Sequence, residues 1–180
     1  MQFIASPIPD VVLIKPKVFG DSRGYFMESF RIDLFAENVG EVNFIQDNES
    51  KSAYGVMRGL HYQLPPYAQA KLVRAITGRV LDVAVDIRKN SPTFGLHVTA
   101  ELSEENKHQL FIPAGFAHGF LVLSKEAVFS YKVNAPYAPD HERGIYYADP
   151  GLGIDWGLPD AEIRLSEKDR KWPLLVTGDG

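Results

Sequence analysis

The chain has no cysteine in its 180 residues. That removes disulfide staples and thiolate chemistry, and it is compatible with a reducing compartment. No apolar run approaches the ~20 residues a membrane helix needs. The opening residues, MQFIASPIPDVVLIKPK, lack the basic region, apolar run and small-residue cleavage site of an export signal. A soluble, cytoplasmic protein without a membrane partner is expected. Positive charge is not in excess either. Nineteen Lys and Arg against 23 Asp and Glu leave a net charge of -4, so a nucleic-acid-binding surface is not expected, although a local basic pocket fits. The phosphate-cradling motifs Gly-x-x-x-x-Gly-Lys and Gly-x-Gly-x-x-Gly are both missing. Any phosphate must be held by side chains. There are no repeats, low-complexity segments or linkers, and the length predicts one domain, 1–180, with a substantial core.

What is present is a succession of short β-rich runs. Residues 11–18 and 25–30 read as strands, separated by the turn GDSRG, and residues 41–48 read as extended. From residue 55 the runs crowd together: 55–63, 71–77, 79–88, 94–102, 109–112, 118–123 and 128–133. Their separators are the Pro65–Pro66 corner and turns at 77–78, 90–92, 103–106 and 113–115. Many short strands with regular turn signals predict an all-β sandwich or barrel, with its core at about 41–134. In the run 79–88, Leu81, Val83, Val85 and Ile87 alternate with a face carrying Asp82, Asp86 and Arg88, which reads as partly polar. Residues 31–39 are the best helix candidate, stopped by Gly40. After residue 134 the chain becomes a Pro-, Asp- and Gly-rich tail, with a short helix expected over 166–171, capped by Ser166 with Asp169 at its third position.

Of the five histidines, His61 and His118 sit among strand-like residues near glycines. Such a histidine is about as often a hydrogen-bonded core residue as a functional one. The turn Pro113–His118, Pro-x-Gly-x-x-His, resembles one element of the cupin barrels, whose metal ligands otherwise come from an earlier His-x-His and Glu. Here the earlier element reads His61, Tyr62, Gln63, and no Glu follows before Glu101. Two imidazoles without a third strong ligand argue against a tight transition-metal site. His61 is then available as a general base, because an imidazole titrates near working pH. It needs a carboxylate partner, and local sequence leaves Asp82 and Asp169 both open, the one against a solvated strand face and the other against a helix cap. Tyr131 offers an acid, and Lys71, beside the proline corner, a cation for a developing enolate oxygen. Arg23, Arg58 and Lys168 are candidates for phosphate, and Phe26 and Tyr137 for stacking on a base.

The ordered set DSRGYFME from Asp21, QDN from Gln46, GVMRGLHYQ from Gly55, QAKLV from Gln69, DVAVD from Asp82, SPTFG from Ser91, IPAGFAHGF from Ile112, Tyr131–Lys132, Glu142, Asp149–Pro150, IDW from Ile154 and LSEKD from Leu165 resembles the dTDP-4-dehydrorhamnose 3,5-epimerase family over about 11–175. The resemblance implies a cupin-like jelly-roll β-barrel with a few short helices and a loop-rich C-terminal tail. It implies a homodimer without metal or cofactor, acting on dTDP-4-dehydro-6-deoxy-D-glucose to give dTDP-4-dehydro-L-rhamnose. It also implies roles: His61 removes the C3 and C5 protons, Asp169 orients it, Tyr131 reprotonates from the other face, and Lys71 lies near the C4 oxygen. Arg23, Glu28, Gln46, Asp47, Asn48, Arg58, His118, Glu142 and Lys168 correspond to substrate contacts, and Tyr137 to the residue stacked on thymine. Three alternatives stand beside it: an epimerase that inverts only C3 or only C5, a sugar-nucleotide 3,4-ketoisomerase, and a non-catalytic cupin that binds a nucleotide sugar. One expectation conflicts with the roles. Strict alternation from Arg58 puts His61 on the opposite face of its strand. A bulge at Gly59 would restore a common face, or Arg58 would serve a partner subunit.

Overall fold

The computed structural model describes residues 1–176. In chain order its elements are β1 (Gln2–Ala5), β2 (Val12–Lys15), β3 (Val18–Asp21), β4 (Gly24–Met27), α1 (Ile32–Asn38), β5 (Gln46–Ala53), β6 (Met57–Gln63), β7 (Lys71–Thr77), β8 (Arg79–Asp86), β9 (His97–Ser103), β10 (Gln109–Ile112), β11 (Phe116–Val122), β12 (Glu126–Val133) and β13 (Glu142–Gly144). A six-stranded sheet, β1-β2-β10-β7-β12-β5, faces a five-stranded sheet, β13-β6-β11-β8-β9, and every strand pairing is antiparallel. This is the expected all-β, jelly-roll architecture. The hairpin β3–β4 stands apart from both sheets.

Apolar residues fill three layers. Between the sheets lie Val73, Leu110, Ile112 and Phe129 from one side and Val80, Val98, Leu102 and Phe120 from the other. The outer face of the five-stranded sheet (Met57, Leu60, Val83, Val85, Leu121) is covered by the tail through Ile145, Tyr147, Leu152, Trp156 and Ile163. The outer face of the six-stranded sheet packs against Phe35 of α1, with Phe44 edge-on to Phe35 and Phe30 edge-on to Phe44. A loop-rich tail can cover a sheet because the flat β face supplies the order and the tail need only supply apolar side chains.

Three differences from the sequence reading have physical causes. The partly polar face of residues 79–88 points inward: Asp82 and Asp86 are fully buried, Asp86 hydrogen-bonded by Arg88, Ser91 and Thr93 and Asp82 paired through one oxygen with His118. The helix expected over 166–171 shrinks to a 3-10 turn, Asp169–Lys171, although Ser166 Oγ accepts the Asp169 backbone N–H at 3.0 Å as a cap would. Pro173 follows and forbids another helical turn. The extended run expected at 41–48 begins as a strand only at Gln46 and continues to Ala53, because every residue of β5 pairs with one of β12.

Between His118↔His61 and Phe120↔Arg58 the pairing advances two residues on β11 and three on β6. This β-bulge resolves the conflict of faces, since Arg58 and His61 both line the same cavity. Gly59 makes it possible. Its φ is +123°, and a Cβ there would lie 2.6 Å from both the Gly119 Cα and the His118 carbonyl oxygen. Gly59→Ala should therefore destabilise the fold by about 2 kcal/mol or more, read as a lower denaturation midpoint. A midpoint like that of the parent would show that the bulge tolerates a side chain.

Candidate active site

Between the sheets, toward one end of the barrel, a cavity of about 440 Å³ opens to solvent. His61 on β6 and His118 on β11 are register partners on adjacent strands of the five-stranded sheet and both line it. Lys71 on β7 and Tyr131 on β12 line it from the six-stranded sheet. Arg58, Tyr137, Glu142, Lys168 and Asp169 complete the set of predicted residues that the fold brings to this cavity.

His61 Nε2 lies 2.5 Å from Asp169 Oδ1. Asp169 is buried, and burial alone would favour its neutral form. The hydrogen bonds from His61, Ser166 and Trp172 outweigh that and hold its carboxyl below the ordinary range. The choice left open by local sequence is thus made by the tail, which carries Asp169 to His61. Asp82 instead meets His118, with Nε2 to Oδ2 at 2.8 Å. Burial pushes the His118 imidazole down from its usual value, offset in part by Asp82. The other Asp82 oxygen is buried without a hydrogen-bond partner among the described residues.

Lys71 is buried, and desolvation pushes its ammonium down to about 8, while Asp82 and Glu142 act in the opposite direction. Desolvation raises the Tyr131 phenol, so it stays protonated through neutral pH. Among the described residues nothing hydrogen-bonds the Tyr131 hydroxyl. The site therefore presents a polarised imidazole on one wall and a protonated phenol and an ammonium on the other. Such groups can take a proton from carbon beside a carbonyl, hold the resulting oxyanion and return a proton from the opposite side.

At the mouth, Glu142 accepts hydrogen bonds from Tyr137 (2.6 Å) and Lys168 (2.5 Å). Burial disfavours its charge, but these partners hold its carboxyl below the usual range. Arg58, which lines the cavity, donates from Nε to Ser52 Oγ at 2.9 Å. Gln63, in the position compared with a metal ligand, has both ends of its amide committed. Nε2 donates to the Tyr67 and Pro136 carbonyls, and Oε1 accepts the Ala138 N–H. Among the described residues no group of three or more His, Cys, Asp or Glu is arranged to hold a metal ion.

The remaining predicted residues lie elsewhere. Gln46 and Asn48 alternate with Ser50, a cavity residue, and Asn48 pairs with Tyr131, so both share the cavity face of β5 but lie beyond its lining. Asp47 is on the reverse face, 2.9 Å from Lys132 Nζ. Arg23 and Phe26 are on the β3–β4 hairpin and Glu28 follows it, all exposed and away from the cavity. Arg23 is paired with Asp21 at 2.6 Å. Sequence reasoning missed Trp172, which hydrogen-bonds Asp169, and Ser52, which holds Arg58. Each is close in sequence to the residue it serves, three and six positions away, but neither forms a motif, because only the fold shows which side chains turn toward the cavity.

The family model described as dTDP-4-dehydrorhamnose 3,5-epimerase matches residues 5–177. A dTDP-4-dehydrorhamnose 3,5-epimerase of Shigella flexneri is 57% identical over 180 residues, covering 99% of this chain and 98% of the relative. The crystal structure of a 3,5-epimerase from Legionella pneumophila in complex with dTDP-4-keto-L-rhamnose superimposes with a TM-score of 0.93 at 50% identity, over 97% of this chain and 92% of the other. A dTDP-4-dehydrorhamnose 3-epimerase of Streptomyces niveus is 37% identical over 164 residues, covering 91% of this chain and 78% of the relative.

Lys71 supplies a pH test. A reaction that needs its ammonium should decline as pH rises through about 8. Asp82→Asn removes a carboxylate that favours the ammonium, so the alkaline limb of kcat/KM should move to lower pH. A limb that stays in place would show that Asp82 does not set the charge of Lys71.

Proposed function

The chain belongs to the dTDP-4-dehydrorhamnose 3,5-epimerase family, and we propose that His61 and Tyr131 carry its reaction as base and acid. The substrate is dTDP-4-dehydro-6-deoxy-D-glucose, inverted at C3 and C5 to dTDP-4-dehydro-L-rhamnose. The observation that carries this reading is the entry of imidazole and phenol into one cavity from opposite sheets. Inversion requires a proton to leave one face of a carbon and arrive on the other, and groups on a single wall cannot do both.

His61 takes the proton from C3 or C5, each α to the C4 ketone. The C–H electron pair moves into the ring and the carbonyl pair onto O4, giving an enolate. Lys71 stabilises the charge on O4. Tyr131 delivers its hydroxyl proton to the opposite face of the carbon, and the phenolate and imidazolium exchange protons with solvent to restore the starting state. Asp169 fixes the imidazole and favours its protonated form. His118, Arg58, Glu142 and Lys168 contact the substrate, with Tyr137 against the thymine. No metal enters the scheme. The amide of Gln63 is already spent on backbone partners, which supports that reading.

Arg23, Phe26 and Glu28 cannot reach the cavity of their own chain in this arrangement. We infer that they complete the cavity of a second copy, making the enzyme a homodimer. The hairpin supports this: Phe19, Tyr25 and Phe26 are 52%, 57% and 66% exposed, a cluster of aromatic surface that a partner would cover. Among the described residues no helix is long and apolar enough to cross a membrane. A cytoplasmic location fits the cysteine-free composition.

His61→Ala should lose at least ~100-fold in turnover, the lower end for a positioned acid–base group. Near-normal turnover would remove His61 from the role. Incubation with the 4-keto sugar nucleotide in D2O should place deuterium at both C3 and C5. Label at one carbon would identify an enzyme that inverts a single centre, and binding without exchange a non-catalytic module. Tyr131→Phe should retain more exchange than completed inversion.

A further inference from the structure

We propose that Trp172 is a positioning residue that sets how strongly Asp169 holds the protonated form of His61. The inference rests on the reading of His61 as the base. Trp172 Nε1 donates to Asp169 Oδ1 at 3.2 Å, the same oxygen that lies 2.5 Å from His61 Nε2. The indole stands edge-on to the imidazole, with centroids 6.1 Å apart and planes at 70°. One carboxylate oxygen is thus shared between the base and an indole N–H.

The indole is held in place by β13 and by the tail on either side of it. Gly144 lies against it, and a Cβ on that residue would come within 2.4–2.6 Å of three indole atoms. Gly144 is also the register partner of His61 across β13 and β6, so the backbone that seats the indole is the one beside the base. The chain beyond Trp172 is tied down by the Tyr146 N–H to the Pro173 carbonyl at 2.8 Å and the Leu175 N–H to Asp149 Oδ2 at 2.6 Å.

A neutral donor to a carboxylate oxygen stabilises the anion and withdraws charge from its other partner. With the indole N–H in place, Asp169 therefore attracts the imidazolium less than a carboxylate bound by His61 and Ser166 alone. The arrangement gives the base an oriented partner without making its proton too hard to release to solvent between the two inversions. The other charged or titratable groups around His61 are His118 on β11, Glu142 on β13 with Tyr137 bonded to it, Lys168 on the same turn, Arg58 on its own strand, and Lys71 and Tyr131 across the cavity. None of them is altered in the variants below.

The test is the acid limb of the kcat/KM profile. Trp172→Phe keeps an aromatic ring and removes the N–H, and should move the limb up by about half to one pH unit. Global replacement of tryptophan by 5-fluorotryptophan keeps the shape and makes the N–H a stronger donor, and should move the limb down. The second tryptophan, Trp156, packs on the far side of the five-stranded sheet. Limbs that coincide with the parent in both proteins would overturn the inference, including where Trp172→Phe lowers kcat uniformly, which is what a purely structural ring would do. If Trp172→Phe does not fold, the fluorinated protein alone decides. Failure of the underlying reading looks different, because His61→Ala would then keep its turnover whatever Trp172 does.

Discussion

The site depends on a hydrogen bond between groups 108 residues apart, His61 on β6 and Asp169 on the tail. Neither end of that bond is set by local propensity. His61 faces the cavity together with Arg58 only because of the bulge at Gly59. Asp169 reaches it only because the tail is laid along the outer sheet by Ile145, Tyr147, Trp156 and Ile163 and stitched to β6, where Leu60 and Ile145 exchange backbone hydrogen bonds. The apolar cover of the five-stranded sheet and the orientation of His61 are therefore one structural fact. Burial of a carboxylate beside an imidazole is unfavourable unless each is paired, and the tail that excludes water from the sheet is also what supplies the pair.

The same logic explains the second histidine. His118 and Asp82 repeat the imidazole–carboxylate pairing one strand away, but deeper, with His118 7% exposed and Asp82 not at all. Around them sits Lys71, an ammonium with no hydrogen bond to protein among the described residues, whose proton is loosened by burial and tightened by Asp82 and Glu142. A cavity that must stabilise a passing negative charge benefits from a cation that is not already neutralised by a direct ion pair. Asp82 acts, with Glu142, against the desolvation that loosens the lysine proton, while its hydrogen bond among the described residues goes to His118. The arrangement leaves one Asp82 oxygen without a hydrogen-bond partner among the described residues, a cost of the kind tolerated at functional sites.

Much of the barrel was legible because its strands are short and punctuated. The runs read at 71–77 and 109–112 coincide with β7 and β10, and the helix read at 31–39 with Ile32–Asn38. The candidate site was legible as a set of residue types and through family resemblance. Local sequence left the carboxylate partner of His61 open between Asp82 and Asp169, and only the resemblance pointed to Asp169. Periodicity showed that Asp82 alternates with apolar residues but not that its face turns inward, since a carboxylate on a strand is read as solvent-facing until a histidine from β11 is known to cover it. The spacing of Arg58 and His61 predicted opposite faces, and only Gly59 hinted otherwise. Trp172 and Gly144 illustrate the limit: their contact needs the tail to return to β13, and nothing within 28 residues of sequence encodes that approach.

The arrangement of the cavity also bears on how the proposed base and acid, His61 and Tyr131, would serve two carbons. C3 and C5 flank the same ketone, so they approach a fixed imidazole only if the ring shifts between the two removals. A site that gripped the ring itself would forbid the shift. Here the hydrogen-bonded cluster of Tyr137, Glu142 and Lys168 is at the mouth, while the inner wall offers Lys71 and Tyr131 without hydrogen bonds to protein among the described residues. Under the proposed mechanism, affinity is placed on the nucleotide end, which does not react, and the reacting ring is held chiefly through its C4 oxygen, the one atom common to both enolates. Binding energy from the remote part of the substrate then serves both inversions, and the pivot about O4 is what allows His61 to act twice.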